Sequence, residues 1–145
     1  KSRGAFHGLT LKHGREHLFR AAIEGVAFGS ELILESMRSN GFFPESIVVS
    51  GGATRSELWL QIHSDVSNMP LTLTKNPIAP LLGCAILSAV GAGIYEDIPT
   101  AVKQMVQIDR VIEPNSQVHD EYQPFYEAYK ASYVGLRNIR NNLEN

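Results

Sequence analysis

Cysteine is almost absent from this sequence. Cys84 stands alone, so no disulfide can form within the chain, and its place in an apolar run suggests a small buried thiol in a reducing, cytoplasmic setting. An excess of basic residues is also missing. The 13 Lys and Arg are outnumbered by 15 Asp and Glu, for a formal net charge of -2, which argues against nucleic acid as a partner because nothing offsets a phosphate backbone. The first ten residues lack the apolar stretch of a signal peptide, and Lys1 stands where an initiator Met would be expected, so the chain is read as beginning mid-protein. No run of twenty apolar residues occurs either. The longest uncharged stretch, Ala79 to Tyr95, is broken up by Pro80, Gly83, Ser88, Gly91 and Gly93, which suits a closely packed buried helix better than a membrane span.

What is present is one domain's worth of chain: 145 residues, 43% of them hydrophobic, with no repeat or low-complexity tract. Between Arg15 and Met37, Phe19, Ile23, Val26, Ile33 and Met37 recur at three- and four-residue steps with Ser30 in the same row, predicting a long amphipathic helix that ends at Asn40-Gly41. Ile47 to Ser50 is a β-branched run without alternation, expected to be a strand buried on both faces. Leu58, Ile62 and Val66 space a helix over Ser56 to Val66, and Leu71 to Thr74 resumes strand character. A right-handed crossover makes those two strands parallel. Because two strands make a marginal sheet, further strands are expected upstream. Helices near Leu81–Val90 and Thr100–Val106 follow, and the last, near Tyr122–Arg140, carries the row Tyr122, Tyr126, Tyr129 and Tyr133. Their one-face spacing, with few basic residues between them, favours core packing over a stacking platform for single strands. Trp59 reads as an anchor between helix and sheet.

The stretch most suggestive of chemistry is Val49-Ser50-Gly51-Gly52-Ala53-Thr54-Arg55-Ser56, where a strand runs through paired glycines into a helix. Without Cβ atoms the glycines let a ligand approach the main chain, and the helix N-terminus offers free N–H donors; a tight turn would also need glycine with nothing bound. It is neither a Walker A loop, since no Gly-Lys-Ser/Thr follows, nor a three-glycine dinucleotide turn.

Four blocks in order are more specific. Arg3-Gly4-Ala5-Phe6-His7-Gly8-Leu9-Thr10 with Arg20-Ala21-Ala22-Ile23-Glu24-Gly25-Val26-Ala27, then Val49-Ser50-Gly51-Gly52-Ala53, then Trp59 to Val66 with its Gln61 and Asp65, then Leu82-Gly83-Cys84-Ala85 resemble the C-terminal domain of FGGY carbohydrate kinases of the xylulokinase and ribulokinase kind. The resemblance implies an α/β fold of the actin/Hsp70/hexokinase type (ribonuclease H-like), with residues 1–145 forming part of the nucleotide-side domain of a two-domain enzyme. It implies ATP and Mg²⁺ as cofactors, a sugar or polyol as co-substrate, a homodimer as the full-length state, and Gly51, Gly52 and Ala53 lining the adenosine pocket. Ser56 falls on a family position that touches adenosine, and is equally readable as an N-terminal cap. The catalytic aspartate and the phosphate-binding loops belong upstream, so no catalytic residue is assigned in this chain. Ile78, where the family often has Glu, and Pro80, where a small residue is common, depart from the pattern.

Other patterns carry less. His13-Gly14-Arg15-Glu16-His17 has the spacing of an inverted zinc-peptidase motif, yet Gly14 weakens the helix that would hold both ligands and no further acidic ligand is signalled, so no metal site is assigned. Ser50, His63 and Asp65 supply hydrolase residue types, but there is no Gly-x-Ser-x-Gly elbow and residues two apart on a helix point away from each other. Asp65 reads as structural. Beside a sugar kinase, the alternative reading is a non-catalytic nucleotide-binding scaffold or regulator of the same ATPase superfamily.

Overall fold

A computed structural model describes residues 4–137. The chain runs through helix α1 (Arg15–Ser39), strand β1 (Ile47–Val49), a 3-10 turn (Gly52–Arg55), helix α2 (Glu57–Ser67), strand β2 (Leu71–Thr74), helices α3 (Ala79–Gly91) and α4 (Ile98–Met105), strand β3 (Ile108–Ile112) and helix α5 (Ser116–Gly135). The part of the expected last helix beyond residue 137 lies outside the described residues.

β1 and β2 pair in parallel, Ile47 opposite Leu71 and Val49 opposite Leu73, as the strand-helix-strand reading requires. The third strand was not expected. β3 adds antiparallel to β2, giving the sheet order β1-β2-β3, so β2 finds its second neighbour downstream of itself. Ile108, Val111 and Ile112 are the β-branched residues that mark β3 in the sequence.

α2 is the hub. Leu60, fully buried, packs with Leu71 and Leu73 of the sheet, bordered by Ile47, Val49, Trp59 and Ile112. On its other side Ile62 and Val66 join Ala27 and Phe28 of α1 and Tyr122 and Tyr126 of α5. Phe28 meets the three tyrosines Tyr122, Tyr126 and Tyr129 at centroid distances of 5.5–5.9 Å, within the range where edge-on and tilted aromatic pairs attract. Core packing of the tyrosine row thus holds for Tyr122 and Tyr126, while Tyr133 is exposed.

Three expectations about burial are corrected. On α1 the buried residues are Ala27, Phe28 and Glu31, whereas Phe19, Val26, Ile33 and Met37 of the apolar row are exposed. Val48 is 64% exposed, so β1 is covered on one face only: α2 shields the side of Ile47 and Val49, and no described element covers the other. Cys84 is exposed too, because α3 packs chiefly on α4 and buries only Ile86.

Candidate functional site

The turn between β1 and α2 is built by hydrogen bonds at both ends. Gly51 has φ 87°, a left-handed conformation that a side chain would strain. The Gly51 amide donates to the Pro77 carbonyl at 2.9 Å, and its own carbonyl accepts from the Thr54 amide at 3.2 Å and the Thr54 hydroxyl at 2.7 Å. The first paired amide of the 3-10 turn is therefore that of Thr54. Those of Gly52 and Ala53 precede it and have no backbone partner among the described residues, leaving two donors unpaired. Gly52 does not have positive φ, and a Cβ built on it meets nothing within 4 Å. Open space at Gly52, not strain, is what a ligand could use.

Ser56 caps α2. Its Oγ accepts from the Trp59 amide at 3.2 Å, which bears out the capping reading and leaves its O–H as a donor. Glu57, in the first turn of α2, pairs with Arg110 of β3 and fastens the head of the helix to the sheet. Thus Gly51, Gly52, Ala53 and Ser56 lie together on one exposed corner. No residue pattern signals the Gly51–Pro77 bond, which brings Ile78 and the start of α3 against the same corner. Ile78 is half exposed there and its amide donates to Asn76 Oδ1 at 3.0 Å, while Pro80 occupies the first turn of α3, where a missing N–H costs nothing.

Asp65 is far from this corner. It is 5% exposed, and its Oδ1 accepts from Gln61 Nε2 and from the Asn115 amide, both at 2.8 Å. Gln61 Nε2 also reaches the Glu113 carbonyl, so the pair fixes α2 to the start of α5. Ser50 joins neither. His63 turns the other way, with Nδ1 2.9 Å from the Trp59 carbonyl and its ring stacked on Trp59 at 3.5 Å. Burial lowers its pKa, so the ring is neutral near pH 7 and Nδ1 is the donor. His13 and His17 take local roles: each Nδ1 accepts a backbone amide, from Thr10 and from Gly14. No cluster of three His, Cys, Asp or Glu able to hold a metal ion occurs among the described residues.

A polar pocket of about 460 Å³ lies between α1, the end of α2 and α5, lined by Glu31, Arg38, His119 and Lys130 among others, and includes no residue of the turn. Glu31 pairs there with Arg38 and its carboxyl is nonetheless raised above the ordinary range by burial, which outweighs the pairing. The glycine corner, by contrast, faces open space among the described residues.

The chain is similar to part of several known enzymes. A xylulose kinase from Staphylococcus epidermidis is 33% identical over 97% of this chain and 28% of its own length. A ribulokinase from Mycolicibacterium smegmatis is 35% identical over 87% of the chain and 23% of its length. The crystal structure of xylulose kinase from Rhodospirillum rubrum superposes with a TM-score of 0.84 at 31% identity, covering 97% of this chain and 28% of that one. The chain thus spans less than a third of these relatives, and its fold is a part of their actin/hexokinase-like architecture. Residues 1–92 match the C-terminal domain of the FGGY family of carbohydrate kinases, and the chain belongs to that family.

Proposed function

We propose that the full-length protein transfers the γ-phosphoryl group of ATP to a hydroxyl of a pentulose or related ketose or polyol, and that this chain supplies the adenosine pocket at Gly51, Gly52, Ala53 and Ser56. The observation that carries the reading is the open, left-handed glycine turn at the head of α2, with the Gly52 and Ala53 amides unpaired and no atom within 4 Å of a Cβ on Gly52. Such a surface accepts a nucleotide against the main chain itself. In the reaction the sugar oxygen bonds to the γ-phosphorus as the bond to ADP breaks, and the hydroxyl proton passes to a base that this chain does not provide. Mg²⁺ would supply charge neutralisation at the phosphates when bound. We place the enzyme in the cytoplasm as a homodimer; no helix among the described residues is long and apolar enough to cross a membrane.

The test is Gly52→Val in the full-length protein. Since Gly52 lacks positive φ and faces open space, the variant folds with its melting temperature close to wild type. Its KM for ATP rises by about tenfold or more while the KM for the sugar changes little, because only the nucleotide meets the added side chain. A folded variant with wild-type ATP affinity would refute the pocket. If the protein binds ATP yet releases no ADP with any pentulose, ketose or polyol, the nucleotide-dependent scaffold replaces the kinase.

A further inference from the structure

Glu31 of α1 is a buried carboxylate with half of its hydrogen bonding unmet. It is 8% exposed, and Arg38 Nη2 donates to its Oε1, but its Oε2 is sealed from solvent and has no partner among the described residues. One other buried side-chain polar atom there shares that state, His63 Nε2, and His63 does not line the polar pocket of about 460 Å³ that Glu31 lines. The neighbouring groups of the pocket are already engaged. Glu35 accepts from the Tyr126 hydroxyl at 2.6 Å and from Lys130 Nζ at 3.4 Å, and Lys130 also reaches Glu127 at 2.8 Å. His119 Nδ1 donates to the Asp65 and Val66 carbonyls, so its Nε2 accepts from Gln123 Nε2 at 3.0 Å. None of these donors turns to Glu31, and a buried acceptor without a donor is a costly arrangement that a ligand could relieve.

The charges of the pocket decide what kind of ligand that is. Glu31 is matched by Arg38 and Glu35 by Lys130, while Glu127 lies at the rim with its side chain 66% exposed. An interior with two carboxylates and two cations, each facing its opposite, favours neither a free cation nor a free anion. Beside the unmet oxygen stand spare donors: a guanidinium has five N–H groups, and Arg38 spends one on Glu31 and directs another weakly at Met69 Sδ, 4.0 Å away. We infer that this pocket binds a neutral polyhydroxyl compound, a sugar or polyol, with one hydroxyl donating to Glu31 and a neighbouring one accepting from Arg38. A hydroxyl both donates and accepts, so two adjacent ones match a carboxylate beside a guanidinium; an ammonium lacks the acceptor, and a phosphate meets Glu31 with like charge. The carboxyl torsion is broad, so a turn about the last side-chain bond of Glu31 brings either oxygen to the pocket. Its volume falls within the roughly 300–1,000 Å³ of small-molecule sites. The pocket shares no residue with the glycine turn, so this inference is independent of the adenosine-pocket reading.

The experiment is hydrogen-exchange mass spectrometry on the full-length protein with xylitol and ribitol as probes, methylammonium and inorganic phosphate as comparisons, and melting temperatures recorded throughout. The polyols slow exchange saturably in peptides covering residues 31–38 and 119–130, which carry most of the pocket wall. Glu31→Gln, which removes the buried charge at nearly constant size, raises the half-saturating concentration by about tenfold, as expected for loss of a hydrogen bond to a charged group. Glu127→Trp sets an indole at the exposed rim and abolishes the protection. Because Glu127 is exposed, that variant carries the test if Glu31→Gln fails to fold. Polyols also stabilise proteins generally by exclusion from their surface, an effect that does not saturate and is indifferent to Glu31. Protection that is uniform over all peptides, or that persists unchanged in either folded variant, would therefore overturn the inference. Protection by methylammonium or phosphate without protection by the polyols would overturn it as well, in favour of an ion site, and protection by none of the probes would mean that water alone serves Glu31.

Discussion

His63 is 7% exposed, donates from Nδ1 to the Trp59 carbonyl, and has no partner among the described residues for its buried Nε2. Protonating the ring would put an unpaired charge in the core, and burial accordingly lowers its pKa below the ordinary 6.5. The sign of the linkage follows. Below pH 6.5 the unfolded chain takes up the proton that the folded chain refuses, so stability present at neutral pH is lost as pH falls through that value. His63→Gln should flatten the decline. Urea midpoints for wild type and variant between pH 8 and 5 give the check, and parallel curves would show that His63 ionises as freely folded as unfolded. Glu31 works in the opposite sense: its raised pKa means that ionisation on the way up through 4.5 costs the folded state, which is why the comparison must be a difference between variant and wild type. At the turn, the residue scale separates two glycines that look alike in sequence. Gly51 carries the left-handed φ, so Gly51→Val strains the backbone by about 1–3 kcal/mol, a loss visible in the melting temperature, whereas Gly52→Val reports on the ligand.

Among the elements, α2 carries the most consequence because its two ends do different things. Its head forms the glycine corner, and its later turns, through Gln61 and Asp65, hold the connection between β3 and α5. Asp65→Ala leaves the Asn115 amide and Gln61 without their charged acceptor and should cost roughly 2–4 kcal/mol. Asp65→Asn keeps an acceptor and costs less. In folded Asp65→Asn full-length protein kcat should stay within about twofold of wild type, whereas loss of a catalytic base lowers it by about 10²–10⁴; a fall of that size would make Asp65 catalytic. Much of this was legible from pattern alone. The crossover from β1 through α2 to β2 follows from two β-branched runs separated by a glycine pair and a 3.6-residue period, and the parallel pairing from handedness. β3 escaped because Asp109 and Arg110 interrupt its apolar residues, so it does not read as a buried strand. The start of α5 escaped because Ser116 to Glu121 is polar; the signal was Asn115, whose Oδ1 caps the Gln117 and Val118 amides. For α1, two apolar stripes compete along one helix, and the more regular one, from Phe19 to Met37, is the one left exposed.

At the scale of the whole molecule, that exposed stripe, the face of the sheet at Val48 and the glycine corner are all open among the described residues, and the chain spans less than a third of the kinases it matches. Phosphoryl transfer asks for a base within hydrogen-bond reach of the attacking hydroxyl, donors around the γ-phosphate and exclusion of water. The described residues bring neither a base nor exclusion of water to the turn: Asp65 is committed to Gln61 and Asn115, Glu57 to Arg110, and the corner opens to solvent. Binding one side of ATP without holding the acceptor leaves the entropic part of the barrier in place, which for well-oriented reactants is worth about 7–11 kcal/mol. The 145-residue chain, purified by itself, should therefore release no ADP above background with any pentulose, ketose or polyol, while the full-length protein turns over with at least one of them in the same coupled assay. Circular dichroism on the same sample must show a folded, helix-rich chain, so that inactivity reflects missing chemistry and not lost structure. Turnover by the isolated chain that Gly52→Val abolishes would mean that the catalytic base lies within these residues after all, and Asp65 would be the first to re-examine.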